Sequence, residues 1–195
     1  MRWSRRSHLV TLWIGVSVEK SFVFAGFGGQ GVILAGKLLA QSGADYGLEV
    51  TWLPSYGPEM RGGTANCTVV LSDESIGSPV VDNPTVLMAM NLPSLDRFEN
   101  TVAAGGTIVV NSSLITRPVE RNDVRVLNMP ANDIALSLGN SQAANMVAPG
   151  AVIKATKIIP LELVKSTMAR MLSHKDTGRL IALNGQALDA GYEAC

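Results

Sequence analysis

Ser21–Leu53, SFVFAGFGGQGVILAGKLLAQSGADYGLEVTWL, is the stretch whose reading decides the fold. Ser21–Ala25 is a short apolar run that stops abruptly at Gly26-Phe27-Gly28-Gly29-Gln30-Gly31. From Val32 to Tyr46 the apolar residues take up helical spacing, with Leu34, Leu38 and Leu39 on one side. A β-type run, a glycine cluster and a period near 3.6 read as strand, tight loop and helix. Gly47 closes the helix as a C-terminal glycine and Leu48–Leu53 (LEVTWL) supplies a second strand, which predicts a β-α-β unit with a right-handed crossover and a parallel strand pair.

Outward from this unit, Pro54–Gly63 (PSYGPEMRGG) is too rich in proline and glycine for a regular element, and it leads into the β-branched strand Thr64–Ser72 (TANCTVVLS). Thr85–Met90 is a buried-type apolar run, Leu92–Ala104 a helix ended by Gly105 and Gly106, Thr107–Asn111 a further buried strand, and Val124–Met129 the last strand. Pro130–Leu138, Leu161–Leu172 and Thr177–Tyr192 complete the helices. Strands alternating with helices predict an α/β fold: a three-layer α/β/α domain with a Rossmann-like start and a largely parallel open sheet, mixed pairing remaining open.

The chain has 195 residues, 47% of them hydrophobic, enough for one core. A single domain is expected over 19–195, preceded by an extension over 1–18 that is either unstructured or the product of a start codon placed too far upstream. In that extension Arg2, Arg5 and Arg6 precede the apolar stretch Leu9–Val18 in signal-peptide order, yet Trp13 and Ile14 are bulky and no A-x-A-like site follows. The stretch is also too short to span a bilayer, and initiation at Val16 or Val18 fits it better. Lys+Arg and Asp+Glu both number 16, so no summed field draws nucleic acid or an anionic membrane, and neither is expected as a partner. Cys67 lies inside an apolar run and Cys195 is the last residue, which argues against a disulfide framework, a zinc site or an iron–sulfur cluster and points to the reducing cytoplasm.

The glycine run has G-x-G-x-x-G spacing: Gly26 for the turn, Gly28 for close approach, Gly31 for helix–strand packing, with amide groups pointing out of the helix start. A dinucleotide site also wants an acidic residue about twenty positions on, at the end of the second strand. That region is Thr51-Trp52-Leu53-Pro54-Ser55, and Glu59 comes too late. A dehydrogenase is therefore disfavoured; the glycines are expected to let the helix meet the sheet, with Gln30 capping its first turn. Loops at the carboxyl ends of neighbouring parallel strands share one crevice, so PSYGPEMRGG is expected to face GFGGQG. In it Tyr56 can stack, Arg61 can hold a carboxylate or phosphate, and Glu59 can fix Arg61. His8 and His174 have the settings of solvated residues, and no G-x-S-x-G or comparable nucleophile setting occurs, so catalytic and metal-ligating residues are expected to be absent.

FAGFGGQGV (Phe24–Val32), then PSYGPEMRGG, then TANCTVVLS together resemble the gamma subunit of 2-oxoacid:ferredoxin (acceptor) oxidoreductases. The likeness extends through Ser78-Pro79, LMAMN (Leu87–Asn91), NMVAPGA (Asn145–Ala151), Asn184, Ala187 and Gly191. The resemblance implies a cytoplasmic subunit of an oxidoreductase acting on the oxo group of a donor with an iron–sulfur protein as acceptor. Pyruvate, 2-oxoglutarate and ketoisovalerate are the substrates in that family. Its partners would be alpha and beta subunits, and a delta subunit where one exists, with ferredoxin reached through the complex. Thiamine diphosphate, iron–sulfur clusters and coenzyme A would belong to the assembly, none of them bound tightly here. By the same resemblance Gly26, Gly28, Gly29, Gln30 and Gly31, with Tyr56, Gly57, Pro58, Glu59, Arg61, Gly62 and Gly63, are interface or coenzyme A-adjacent positions, and the isolated chain is inactive. The rival readings are a free-standing Rossmann-type nucleotide-binding protein and a non-enzymatic interaction module.

Overall fold

The computed structural model describes residues 18–57, 63–173 and 178–194. The expectations for the N-terminal extension through residue 17, for Pro58, Glu59, Arg61, Gly62 and His174, and for Cys195 lie outside them. In chain order the elements are β1 (Glu19–Phe27), α1 (Val32–Tyr46), β2 (Glu49–Tyr56), β3 (Thr64–Ser72), β4 (Val86–Ala89), α2 (Leu92–Phe98), β5 (Thr107–Asn111), β6 (Arg125–Met129), α3 (Ala131–Ser137), α4 (Ala144–Thr156), α5 (Leu161–Leu172) and α6 (Arg179–Glu193).

The strands form one six-stranded sheet in the order β2-β3-β1-β4-β5-β6. β1, β4, β5 and β6 run parallel, with Phe22 opposite Val86, Val86 opposite Thr107 and Thr107 opposite Arg125. β3 is antiparallel to both its neighbours, Phe27 lying opposite Thr64 on one side and Tyr56 opposite Ala65 on the other. The sheet is therefore mixed and mostly parallel. The expected direct pairing of the first two strands does not occur: β2 runs on through Pro54, Ser55 and Tyr56, which were expected to lie in a loop, and β3, starting at Thr64, folds back antiparallel into the place beside β1. β3 is suited to that inner position, burying Ala65, Cys67, Val69, Val70 and Leu71. β2 is left at the edge, where Pro54, which has no N–H to give a ladder, is tolerated.

Side chains alternate across the sheet. Phe22, Phe24, Val86, Met88 and Val109 enter the larger core, under α1, α4, α5 and α6. Val23, Ala25, Leu87, Ala89, Ile108 and Val110 enter the smaller one, under Leu95 of α2 and the segment bearing Val102 and Ile115. The layers are helix, sheet, helix, as expected. The second helix is shorter than its apolar pattern: Asn91 caps it by accepting from the Ser94 N–H at 2.9 Å, it ends at Phe98, and a single 3₁₀ turn carries the chain on.

α4 was not foreseen as a helix. It holds Pro149 and Gly150, both helix breakers, and is buried nearly all round, so it has no apolar stripe to detect. Packing overrides propensity here: a Cβ at Gly150 would lie 2.1 Å from the Leu188 carbonyl oxygen, and one at Gly191 would lie 1.8 Å from that of Val147. The backbones of α4 and α6 touch through a glycine on each side.

Candidate functional site

The carboxyl ends of β1 and β4 and the start of α4 converge on one rim, where the predicted glycine loop lies. Gly29 (φ +101°) and Gly31 (φ +73°) adopt left-handed backbone that other residues rarely take. A side chain at Gly29 would meet open space, whereas one at Gly31 would begin 2.5 Å from the Cβ of Asn145. Gly31 is thus required twice, by conformation and by the approach of α4. At Gly26 a Cβ would lie 2.8 Å from Gln30 Oε1 and from Val32 Cγ1.

Three of the loop amides are engaged within the chain. Phe27 N–H donates to Gln30 Oε1 at 2.7 Å, Gly28 N–H to the Gly63 carbonyl at 2.9 Å, and Gln30 N–H to the Phe27 carbonyl at 3.0 Å. Gln30 therefore closes its own loop and does not cap α1, whose N-cap, Gly31, has no side-chain hydrogen bond. The Gly28–Gly63 bond joins the two glycine-rich turns directly, and on the other flank Gly57 N–H donates to the Thr64 carbonyl at 2.8 Å. Tyr56 projects from the end of β2 at 64% exposure. The described ends of the second turn, Tyr56, Gly57 and Gly63, sit at the rim with Gly26–Gly31.

Behind the loop lies a chain of neutral amides. Gln30 Oε1 also accepts from Asn91 Nδ2 at 2.9 Å, and Gln30 Nε2 donates to the Met90 carbonyl at 3.3 Å. Asn111 Nδ2 donates to that same carbonyl at 3.3 Å and to Asn132 Oδ1 at 2.8 Å, while Asn111 Oδ1 accepts from Ala131 N–H at 3.1 Å. Asn91, Asn111 and Asn132 escaped the sequence analysis, although a signal was present: apolar strand runs end in asparagine at Asn91 and Asn111, and Asn132 comes three residues after the last run ends at Met129. Polar residues at successive strand ends mark a shared rim.

Among the described residues the arrangement holds no acid–base or nucleophilic machinery. Among the described residues no three of His, Cys, Asp and Glu come together as metal ligands would. Cys67 is fully buried and burial pushes its thiol up to about 12, so it is inert as nucleophile or ligand. With the Phe27, Gly28 and Gln30 amides occupied and β3 interposed where a ribose-binding second strand would stand, the glycine loop departs from a dinucleotide cradle.

A sequence profile described as pyruvate ferredoxin/flavodoxin oxidoreductase matches residues 21–194. The chain belongs to that family. Among relatives of this pyruvate ferredoxin/flavodoxin oxidoreductase family member, the ketoisovalerate oxidoreductase subunit VorA of Methanothermobacter thermautotrophicus is 43% identical over 169 residues, covering 87% of this chain and 35% of that protein. The chain thus spans about a third of the length of such relatives. The 2-oxoglutarate synthase subunit KorC of Methanothermobacter marburgensis is 35% identical over 185 residues, covering 87% of this chain and 100% of that subunit. The gamma subunit of keto/oxoacid ferredoxin oxidoreductase from Geobacter sulfurreducens superposes with a TM-score of 0.75 at 28% identity, over 90% of this chain and 97% of the other. A 2-oxoglutarate:ferredoxin oxidoreductase chain from Magnetococcus marinus, solved with 2-oxoglutarate, coenzyme A and succinyl-CoA bound, superposes at 0.83 and 25% identity over 90% of this chain and 31% of the other. Among the described residues of this family member no helix is long and apolar enough to cross a membrane.

Proposed function

We propose that this chain is the gamma-type subunit of a cytoplasmic 2-oxoacid:ferredoxin oxidoreductase, which decarboxylates a 2-oxoacid, passes the acyl group to coenzyme A and delivers the electrons to an iron–sulfur protein. The observation that carries the reading is the end-to-end correspondence with KorC, whose whole length aligns with this domain. The absence of a catalytic constellation among the described residues supports a role in contact. Alpha and beta subunits, with a delta subunit where one exists, are the partners, and the choice of oxoacid falls to them.

The donor set here does not fit the assembly's redox or thiamine groups. Cys67 is sealed in the core, among the described residues no acidic cluster stands ready for the metal of a diphosphate, and the Phe27, Gly28 and Gln30 amides are engaged within the chain. Thiamine diphosphate and the clusters then belong to the partners, and coenzyme A meets this chain at most along the rim of Gly26–Gly31, Tyr56, Gly57 and Gly63. By the family resemblance Pro58, Glu59, Arg61 and Gly62 are further contact positions, and exposed Trp52 and Leu53 of edge strand β2 extend the proposed surface from the described residues. The fused relatives, in which the matching region is about a third of a longer chain, support a lasting docking of this domain.

Affinity purification of the tagged chain from its native host tests the proposal. Thiamine-dependent subunits are expected to co-purify in near-stoichiometric amounts; a chain recovered alone under the same gentle conditions overturns it.

A further inference from the structure

α1 and α4 both start at the rim and run away from it, and their far ends bound a cleft remote from the glycine loop. Its volume is about 230 Å³, and Tyr46 of α1, Ile153 and Lys157 of α4, Ile159, Leu161 and Tyr192 of α6 line it. At about 30 Å³ per water molecule this is room for roughly eight waters, the scale of a small organic acid. The floor is apolar, Ile153 being 1% exposed and Ile159 2%.

Lys157 sets this cleft apart. It ends α4 at φ +52°, and among the described residues no other residue with a side chain has left-handed backbone. Glycine is the ordinary occupant of such a helix end, because a Cβ there is strained. α1 ends in that way, at Gly47. Strained backbone of this kind clusters at ligand clamps and active sites. Inside the chain, however, the Lys157 side chain is idle: among the described residues it forms no ion pair and no hydrogen bond. A cation at a helix C-terminus complements the helix dipole, but Lys154, in the last turn of α4, already serves that end.

The surroundings leave Lys157 without an anion. Asp45 is engaged by Thr167 and Arg170, Glu162 is paired with Lys165, and Glu193 is exposed beside Tyr192. Lys154 lies 4.6 Å from the centre of the Tyr192 ring, so that cation is occupied. The Tyr46 and Tyr192 hydroxyls make no hydrogen bond among the described residues and can donate to an acceptor held in the cleft. One idle ammonium above an apolar floor suits a single charge on an apolar body. A compact dianion would lose hydration against that floor and gain only one cation.

We propose that this cleft binds a small organic monoanion, a carboxylate carried on an apolar body. The body rests on Ile153, Ile159 and Leu161, and the carboxylate meets Lys157. The inference goes beyond the assembly reading and does not depend on it.

Titration of the full-length ¹⁵N-labelled chain with benzoate tests it, with benzamide and inorganic phosphate as parallel arms. Benzoate is expected to shift the backbone signals of Lys157, Ile159 and Leu161 together and saturably. Benzamide, of similar shape but uncharged, and phosphate should leave them in place. Lys157→Gly should weaken benzoate about tenfold or more, as loss of a hydrogen bond to a charged group does, and should raise the urea midpoint by relieving the backbone. A chain that is more stable yet binds worse is not a misfolded one. Lys157→Met, which keeps a long side chain without its charge, should weaken benzoate as much and hold the midpoint near the parent's. The proposal is overturned if benzoate gives no saturable shift, if benzamide or phosphate gives the same one, or if either variant binds like the parent. A Lys157→Gly chain less stable than the parent would overturn it too, since the side chain would then be serving the fold. Co-purification with the partner subunits is untouched by any of these results.

Discussion

The sheet has two halves built on different plans. In β1, β4 and β5 neighbouring strands run parallel, carry apolar residues on both faces and are covered on both, by α1 and α4 on one side and α2 on the other. In β3 and β2 the strands run antiparallel and the helices cover one face; on the other, Asn66 and Thr68 are half-buried beside exposed Leu53, and β2 ends the sheet. A parallel sheet demands cover on both faces, whereas an antiparallel one can keep a face open. The covered half makes the rim; the half-open one has surface to give to another chain.

Breaking the covered half should have the largest effect. Gly191→Val drives a side chain into the Val147 carbonyl where α6 meets α4, a backbone contact that cannot yield by rotamer change. A loss of about 3 kcal/mol or more is expected in urea unfolding, with outright failure to fold as its limit. Asn111→Ala comes next. The residue is fully buried, and its removal leaves Ala131 N–H without its acceptor and Asn132 Oδ1 without its donor, while the Met90 carbonyl keeps only Gln30 Nε2. The expected cost is about 2 kcal/mol, in the range for buried polar groups left unpaired.

This contrast also explains what the sequence could convey. The covered strands were legible because their runs are apolar throughout, and α1 because its spacing and closing Gly47 follow simple rules. The order of the strands was not legible. Whether Thr64–Ser72 lies beside β1 or beyond β2 depends on how PSYGPEMRGG turns, and only Pro54, hinting at an edge, bore on it. α4 was hidden for the opposite reason, since a helix buried on nearly every side shows no period and its Pro149 and Gly150 argue against it locally. At the rim, the glycines announced themselves by spacing; the asparagines behind them could be found only by noticing what ends each apolar run. That Gln30 closes its own loop depends on Asn91 and Met90, about sixty residues away, which local rules cannot reach.

Smaller effects sharpen the comparison from the half-open side. Asp45, at the end of α1, accepts from Thr167 Oγ1 at 2.6 Å and pairs with Arg170, tying α1 to α5 over the antiparallel strands. The Thr167 hydroxyl, with Arg170, holds its carboxyl below the ordinary value of 3.8. A depressed carboxyl contributes stability above its unfolded pKa and loses it as pH falls through the folded one. Asp45→Asn should therefore cost under about 1 kcal/mol near neutral pH, and the difference from the parent should fade below pH 3.8. Leu53→Ser, on the open face, should change stability by less than about 0.5 kcal/mol. It should nevertheless reduce recovery of partner subunits in affinity purification, and unchanged recovery would remove Leu53 from the docking surface.

The central claim is that this domain contributes contact and supplies no chemistry of its own. The most direct test measures 2-oxoacid-dependent reduction of a viologen dye with coenzyme A present, for the purified chain, for the partner subunits stripped of it, and for the two recombined. The account predicts no turnover by the chain alone and recovery of activity on recombination. Appreciable turnover by the chain alone, or full activity of the stripped subunits, would contradict it.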